Sequence, residues 1–303
     1  MDEKKASMTA VVTAFIRAYH AADDGPKVFD DFMARELFTS EERRQIGSNL
    51  AQCLPVFEPG RAAADMSEAE ALDAVMRHQM STVLCRSRYA EESLDAAVAS
   101  GATQYVILGA GMDTHAFRRP DLAGRLTVFE VDHPATQALK RNRFSEHGWA
   151  IPGHLRFVPF DFTGGALAQA LEQAAYDQRA LSFFSLLGVT YYLPRQDLFA
   201  TLRGVAELAA PGSAIVFDYF DADAFVPEKM DRRMRATQTL VRASGEPMRT
   251  GLDPETLSDS LRDAGWTLAE DLGPAALDQR YFSDRADGLR AYGHARLARA
   301  VAA

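Results

Sequence analysis

Along this chain the spacing of apolar residues changes once, near residue 100. Before that point it is helical. Met8, Val11, Val12, Phe15 and Tyr19 fall on one face, and Val28, Phe29, Phe32, Met33, Leu37 and Phe38 make a second short one. Ser40-Glu-Glu-Arg43 offers a helix start with acids in its first turn. Pro55, Pro59 and Gly60 break the pattern. Ser67-Glu-Ala-Glu70 then opens a long helical stretch through His78 and Arg88 to about Ser100, read here as two pieces. From residue 104 the pattern alternates. Strand-like runs fall at 105–108, 126–131, 155–160, 181–187 and 213–219, with helix-like runs at 134–147, 166–176 and 195–208. Residues 221–250, rich in Met and Arg, predict an inserted helical lid above the carboxyl edge of a sheet. Asp253-Pro-Glu-Thr-Leu257 predicts a helix with proline at its first position, ending near Gly265. Runs at 267–272 and 280–282 predict an antiparallel edge pair, and a last helix is expected from about Ala286. Strands alternating with helices imply parallel pairing with right-handed crossovers. The expected fold is therefore α/β: a mostly parallel, Rossmann-like sheet of seven strands in residues 102–303, behind a helical cap in residues 1–101.

The densest chemistry lies at the first strand. Tyr105-Val-Ile-Leu108 is an apolar run suited to a strand buried on both faces. Gly109-Ala110-Gly111 ends it, and glycine there permits a sharp turn and close approach of backbone N–H groups to a ligand. The next strand-like run ends on Asp132, about 20 residues on, where an acid can hold two ribose hydroxyls. A dinucleotide turn would carry a third glycine, but this chain has Asp113-Thr114 in its place. A carboxylate there repels a pyrophosphate and suits a cationic, amino-acid-bearing ligand such as S-adenosylmethionine. A methyltransferase site is thus favoured over a nicotinamide site and over a purely structural turn.

Composition narrows the partners. The chain has 303 residues, 47% hydrophobic and 25% charged, with a formal net charge of -9. Such an acidic chain is a poor match for a phosphate backbone, so no nucleic-acid partner is expected. No apolar run of 18 residues occurs and Met1-Asp-Glu-Lys-Lys5 lacks a signal-peptide core, so no membrane association is expected. Cys53 and Cys85 are the two cysteines, too few for a disulfide framework, which points to a reducing cytoplasm. Seven histidines show no metal-ligand spacing, and no metal is expected.

Taken together, Ile107-Leu-Gly-Ala-Gly-Met-Asp-Thr114 with Phe117-Arg118, Phe129-Glu-Val-Asp132-His-Pro134 with Lys140, and Val158-Pro-Phe-Asp161 resemble the leucine carboxyl methyltransferase family. That family contains the enzyme that esterifies the C-terminal leucine of protein phosphatases, together with many bacterial O-methyltransferases of polyketide and related pathways. The resemblance runs from the helical N-terminus through Arg280-Tyr281, and it implies a class I methyltransferase fold with S-adenosylmethionine as cofactor. It implies that the backbone of Gly109 faces the methionine moiety, that Asp132 binds ribose, and that Asp161 with Phe162 holds adenine. It implies that Arg88 pairs with the cofactor carboxylate, a role for which Arg86 competes. The family's Glu-Gly-Leu-x-x-Tyr-Leu reads Leu187-Gly-Val-Thr-Tyr-Tyr-Leu193 here, so Leu187 replaces the glutamate that takes the cofactor's amino group. Asp113 or backbone carbonyls are expected to cover that group. The variant looks closer to the bacterial secondary-metabolite branch.

Methyl transfer asks a protein mainly to hold acceptor oxygen, methyl and sulfur in line and to exclude water. The expected reaction is methyl-ester formation on a carboxylate of a small hydrophobic or polyketide-type acceptor, free or carrier-bound. A hydroxyl acceptor would require a general base, with His78, His115, His133, Tyr191, Tyr192 and Asp218 as candidates. Tyr191, Tyr192 and His115 are the ones expected to line the acceptor pocket. His133 is expected to shape the turn before Pro134, and Arg118 to brace the loop through Asp113.

Overall fold

The computed structural model describes residues 7–61, 66–162, 164 and 166–303. Helix α1, Met8–Ala22, starts where the Ser7 hydroxyl accepts from the N–H of Ala10. Helix α2, Ser40–Ala51, and α4, Glu68–Ala99, each start from a reciprocal capping box, Thr39 with Glu42 and Ser67 with Glu70. Between them lies one turn, α3, Leu54–Phe57. The long stretch expected as two pieces is one unbroken helix of 32 residues. It holds no glycine or proline, and its alanines, leucines and charged residues favour helix throughout.

From residue 104 strands and helices alternate: β1 Gln104–Leu108, α5 His115–Arg118, β2 Thr127–Asp132, α6 Pro134–Glu146, β3 Leu155–Pro159, α7 Leu167–Gln173, β4 Ser182–Leu186, α8 Arg195–Leu208 and β5 Ala214–Phe220. The lid helix α9, Arg232–Ala243, follows, then α10 Leu257–Arg262, β6 Trp266–Leu272, α11 Pro274–Leu277 and β7 Ala295–Ala302. The sheet order is β3-β2-β1-β4-β5-β7-β6. β7 runs antiparallel between β5 and β6. The order reverses between β1 and β4, and in such sheets the crevice outside the carboxyl ends of those strands is where ligands bind.

Alternation along the central strands sends side chains to two cores. Tyr105 and Ile107 face a cluster shared with α1, α2 and α4. Val106 and Leu108 face a second cluster, shared with α7, α8 and α10. The N-terminal helices therefore cover one sheet face and reach past its carboxyl edge.

Three further expectations fail, all toward the C-terminus. Residues 280–282 form part of a π-helical turn, Asp278–Phe282, not a strand. The helix expected from Ala286 is absent, and β7 occupies 295–302 instead. Ala295-Arg-Leu-Ala-Arg-Ala-Val-Ala302 favours helix when isolated. Here its backbone fills the gap between β5 and β6, and small alanines at 298 and 300 pack flat in the core. Pro254 lies in a turn, and the helix begins at Leu257, a turn later than expected. Among the described residues no helix is long and apolar enough to cross a membrane.

Candidate active site

The crevice begins at the glycine elbow. Gly109 has φ +75° and donates its N–H to the carbonyl of Val131. A Cβ on it would stand 2.4 Å from the Cγ2 of Val189, so β1 and the loop after β4 meet there at a distance that tolerates hydrogen alone. Ala110 also bonds to Val131. Gly111 donates to the Oδ2 of Asp132, and His133 donates to its Oδ1 at 2.6 Å. A carboxylate offers about four lone-pair positions, so two remain on Asp132 for ligand hydroxyls. Burial raises this carboxyl above its ordinary range, against the pull of both N–H donors. At the end of β3, Asp161 is half-buried and Phe162 sits edge-on to Phe160 at 5.2 Å. Both rings line the groove between α7 and α8, and Thr163 and Gly165 beside them lie outside the described residues.

Across the crevice stands a buried cation. The Nη1 of Arg86 donates to the Tyr191 hydroxyl at 3.0 Å and to the Oδ2 of Asp218 at 3.1 Å. Asp218 Oδ1 accepts from the N–H of Gly188 at 2.6 Å. Gly188 has φ +71°, and a Cβ there would lie 2.7 Å from the Nη2 of Arg86, so the guanidinium rests on bare backbone. Arg88 does not share this place. Two residues along a helix turn the side chain by about 200°, and Arg88 is exposed, paired with Glu92 on the outer face. The structure thus gives the crevice Arg86 and turns Arg88 to solvent. Leu187 is half-buried and packs against the core, with no polar atom to offer.

The candidate bases are placed unequally. Tyr191 is buried against Phe220 at 4.7 Å, and burial pushes its phenol well above the ordinary range. Tyr192, at 4.8 Å from Tyr191, is pushed to about 12 by burial. His115, expected to line the pocket, lies instead behind the elbow. Its Nδ1 is 3.2 Å from Glu91 Oε1 and its ring meets Tyr105 edge-on at 5.1 Å. The reason is local: Asp113 Oδ1 accepts the N–H of His115 at 2.7 Å and starts α5, whose first side chain then turns toward α4. Asp113 thereby braces the loop. His133 accepts from the N–H of Ala135 and caps α6, and His78 stacks on Phe57 and bonds Glu58.

Behind the elbow runs a network that sequence reasoning missed. Arg17 of α1 donates to the carbonyl of Met112 at 2.7 Å and to Asp31 at 2.8 Å. Asp31 accepts from the Thr114 hydroxyl at 2.6 Å and pairs with Arg118 at 3.1 Å. Arg118 also pairs with Glu91, so it braces the loop through Asp31, Thr114 and Glu91 rather than by a bond to Asp113. Burial alone would raise the Glu91 carboxyl, but His115 and Arg118 outweigh it and hold it at about 2. Met112-Asp-Thr114 with Arg118 is therefore the clasp between cap and elbow. Arg17 and Asp31 carried no signal because their partners are distant in sequence.

Residues 10–206 match the family model for leucine carboxyl methyltransferases. The chain belongs to this family. It is 39% identical over 294 residues to YktD of Bacillus subtilis, assigned as an S-adenosyl-L-methionine-dependent methyltransferase, with 96% of each chain covered. A Mycolicibacterium paratuberculosis protein assigned the same activity is 31% identical, covering 93% of this chain and 89% of its own. A DUF574 family protein of Streptomyces avermitilis has the same fold, with TM-score 0.50 and 18% identity over 84% of this chain and 97% of its own. This family member is an S-adenosylmethionine-dependent methyltransferase. Its crevice fits that cofactor: bare glycine backbone, a half-committed carboxylate at the end of β2 and a buried guanidinium opposite.

Proposed function

We propose that this enzyme forms methyl esters on the carboxylate of a small hydrophobic acceptor. The observation that carries the reading is the state of the Arg86 cluster. Every group there that might take a proton is compromised as a base. Tyr191 and Tyr192 have phenols raised by burial, Asp218 is engaged by Arg86 and the N–H of Gly188, and His115 lies on the other side of the elbow. A carboxylate acceptor is already ionised at neutral pH and needs no base. A hydroxyl acceptor does.

Within this reading Asp132 holds the ribose hydroxyls and Asp161 with Phe162 borders the adenine. The donors of Arg86 not used on Tyr191 and Asp218 grip the cofactor carboxylate. The bound sulfonium supplies an electrophilic methyl group. The chain's part is to position and to dry. Tyr191, Phe220, Tyr292 and Met234 form a buried apolar cluster beside Arg86, with Met230 and Met248 at its border. Such a wall takes a hydrophobic acceptor and adapts to its outline. Bringing a carboxylate against a sulfonium reduces charge toward the transition state, which a water-poor crevice favours.

The test is methyl transfer from labelled S-adenosylmethionine to matched pairs of hydrophobic carboxylic acids and phenols. The expected product releases its label in mild alkali, as an ester does. A product stable to alkali, an ether, overturns the carboxylate reading. Asp132→Ala is expected to weaken S-adenosylhomocysteine binding about 100-fold in calorimetry, since two charge-assisted hydrogen bonds are lost. Unchanged affinity removes the ribose assignment.

A further inference from the structure

A second basic site lies on the far side of the aromatic cluster. A cleft of about 520 Å3 opens between α3, the start of α4 and the lid helix α9, lined by Phe57, Glu58, Arg61, His78, Arg232 and Arg233. Three guanidiniums face one carboxylate, and Glu58 is already shared between Arg61 and His78. The rest of the chain is acidic, with a net charge of -9. Such a cationic pocket focuses field toward an anion.

Arg233 gives the cleft its character. Its Nε donates to the carbonyl of His78 and its Nη2 to the Ser81 hydroxyl, both at 2.6 Å. Its Nη1 makes two long contacts, 3.5 Å to the carbonyl of Arg290 and 3.4 Å to that of Ala291. These are beyond the usual length for such bonds. Asp231 and Asp278 act on it through space, and among the described residues it forms no ion pair. Burial pulls its pKa down. A half-buried guanidinium without a carboxylate is costly, and an anion in the cleft would offset that cost. Arg232, next along α9, is exposed and forms no ion pair among the described residues. The side chain of Arg233 is fixed by α4 before any ligand arrives, so little freedom is lost on binding.

Packed, buried rings separate the cleft from the Arg86 cluster. Arg233 lies 4.3 Å over the Tyr292 ring. Tyr292 is 5.6 Å from Phe220, which meets Tyr191 beside Arg86. We propose that this cleft is a separate binding site for an oxyanion, a carboxylate or phosphate borne by a small-molecule ligand.

Inorganic phosphate and malonate are the probes, titrated at constant ionic strength against chloride into the whole chain, with melting temperature and calorimetry as readouts. Either anion is expected to raise the melting temperature of the wild type by mass action. Binding of phosphate alone assigns the cleft to a phosphate-bearing ligand, and binding of malonate assigns it to a carboxylate-bearing one. Arg232→Ala, a change at an exposed residue, is expected to weaken that binding at least tenfold and leave S-adenosylhomocysteine affinity within twofold. Arg233→Lys, which keeps charge and loses the fork, is expected to weaken it as well. No effect beyond chloride on the wild type, or binding unchanged in Arg232→Ala, overturns the proposal. S-adenosylhomocysteine titrated into the same samples reports separately. Its failure to bind would count against the cofactor site and leave the phosphate result standing.

Discussion

The two walls of the crevice are built from different materials. The elbow side, proposed to meet the cofactor, is polar and braced. Arg17, Asp31, Thr114, Arg118, Glu91 and His115 link α1, α4 and the elbow through hydrogen bonds and ion pairs. The wall proposed to meet the acceptor is made of tyrosine, phenylalanine and methionine on β5, the loop after β4 and the lid. Charge networks specify geometry because each partner must be satisfied in the dry interior. Thioethers and rings pack in several ways at similar cost. A ligand of fixed shape suits the first kind of wall, and a ligand of variable outline suits the second.

The largest test of this contrast is at the seam. Arg86→Ala leaves Asp218 buried without its cation. It is expected to cost about 3 kcal/mol or more of stability in denaturant unfolding and to abolish most cofactor binding. Arg88→Ala, at a solvent-exposed pair, is expected to stay within about 0.5 kcal/mol and leave the cofactor bound. The reverse order would move the cofactor carboxylate to Arg88.

Acid separates the walls next. His20 is buried in α1, and its Nε2 accepts from the N–H of Val28 at 2.9 Å, which requires the neutral ring. Burial, then Lys27 and Arg285, lower its pKa to about 4 from an ordinary 6.5. The folded state therefore binds fewer protons than the unfolded chain between those values. Stability from this group is present above pH 6.5 and is lost as pH falls toward 4, by about 2–3 kcal/mol. His20→Gln is expected to flatten that part of the pH profile of unfolding. An unchanged slope would show that the cap does not depend on this ring.

Smaller effects sharpen the picture. Asp31→Asn removes the charge at the centre of the clasp without touching the crevice. It is expected to weaken S-adenosylhomocysteine binding about fivefold, roughly 1 kcal/mol of coupling. Equal affinity would mean that the elbow holds its shape unaided. Met230→Leu, on the acceptor wall, is expected to leave cofactor affinity within about twofold while shifting the acceptor KM, since such swaps conserve volume.

Much of the elbow's geometry was legible in the sequence. Gly109, Gly111 and Asp132 announce themselves because a turn without Cβ atoms and an acid about 20 residues on follow from strand geometry alone. The choice between Arg86 and Arg88 was not legible. Both lie on one helix, and the face that meets Gly188 is decided by how α4 docks on the sheet. His115 misled for the same reason, since adjacency to the elbow in sequence became burial behind it in space.

What the residues determined alone is local: capped helices, apolar strands buried on both sides, and a glycine turn followed by an acid. These depend on periodicity and backbone sterics within a few residues. The tertiary structure decided the rest. It drew Ala295–Ala302 into the sheet against its helical preference because β5 and β6 needed a partner. It also joined Arg17 to Met112 and Arg86 to Asp218, 95 and 132 residues apart. Contacts of that separation are set by packing of whole elements, and no spacing along the chain records them.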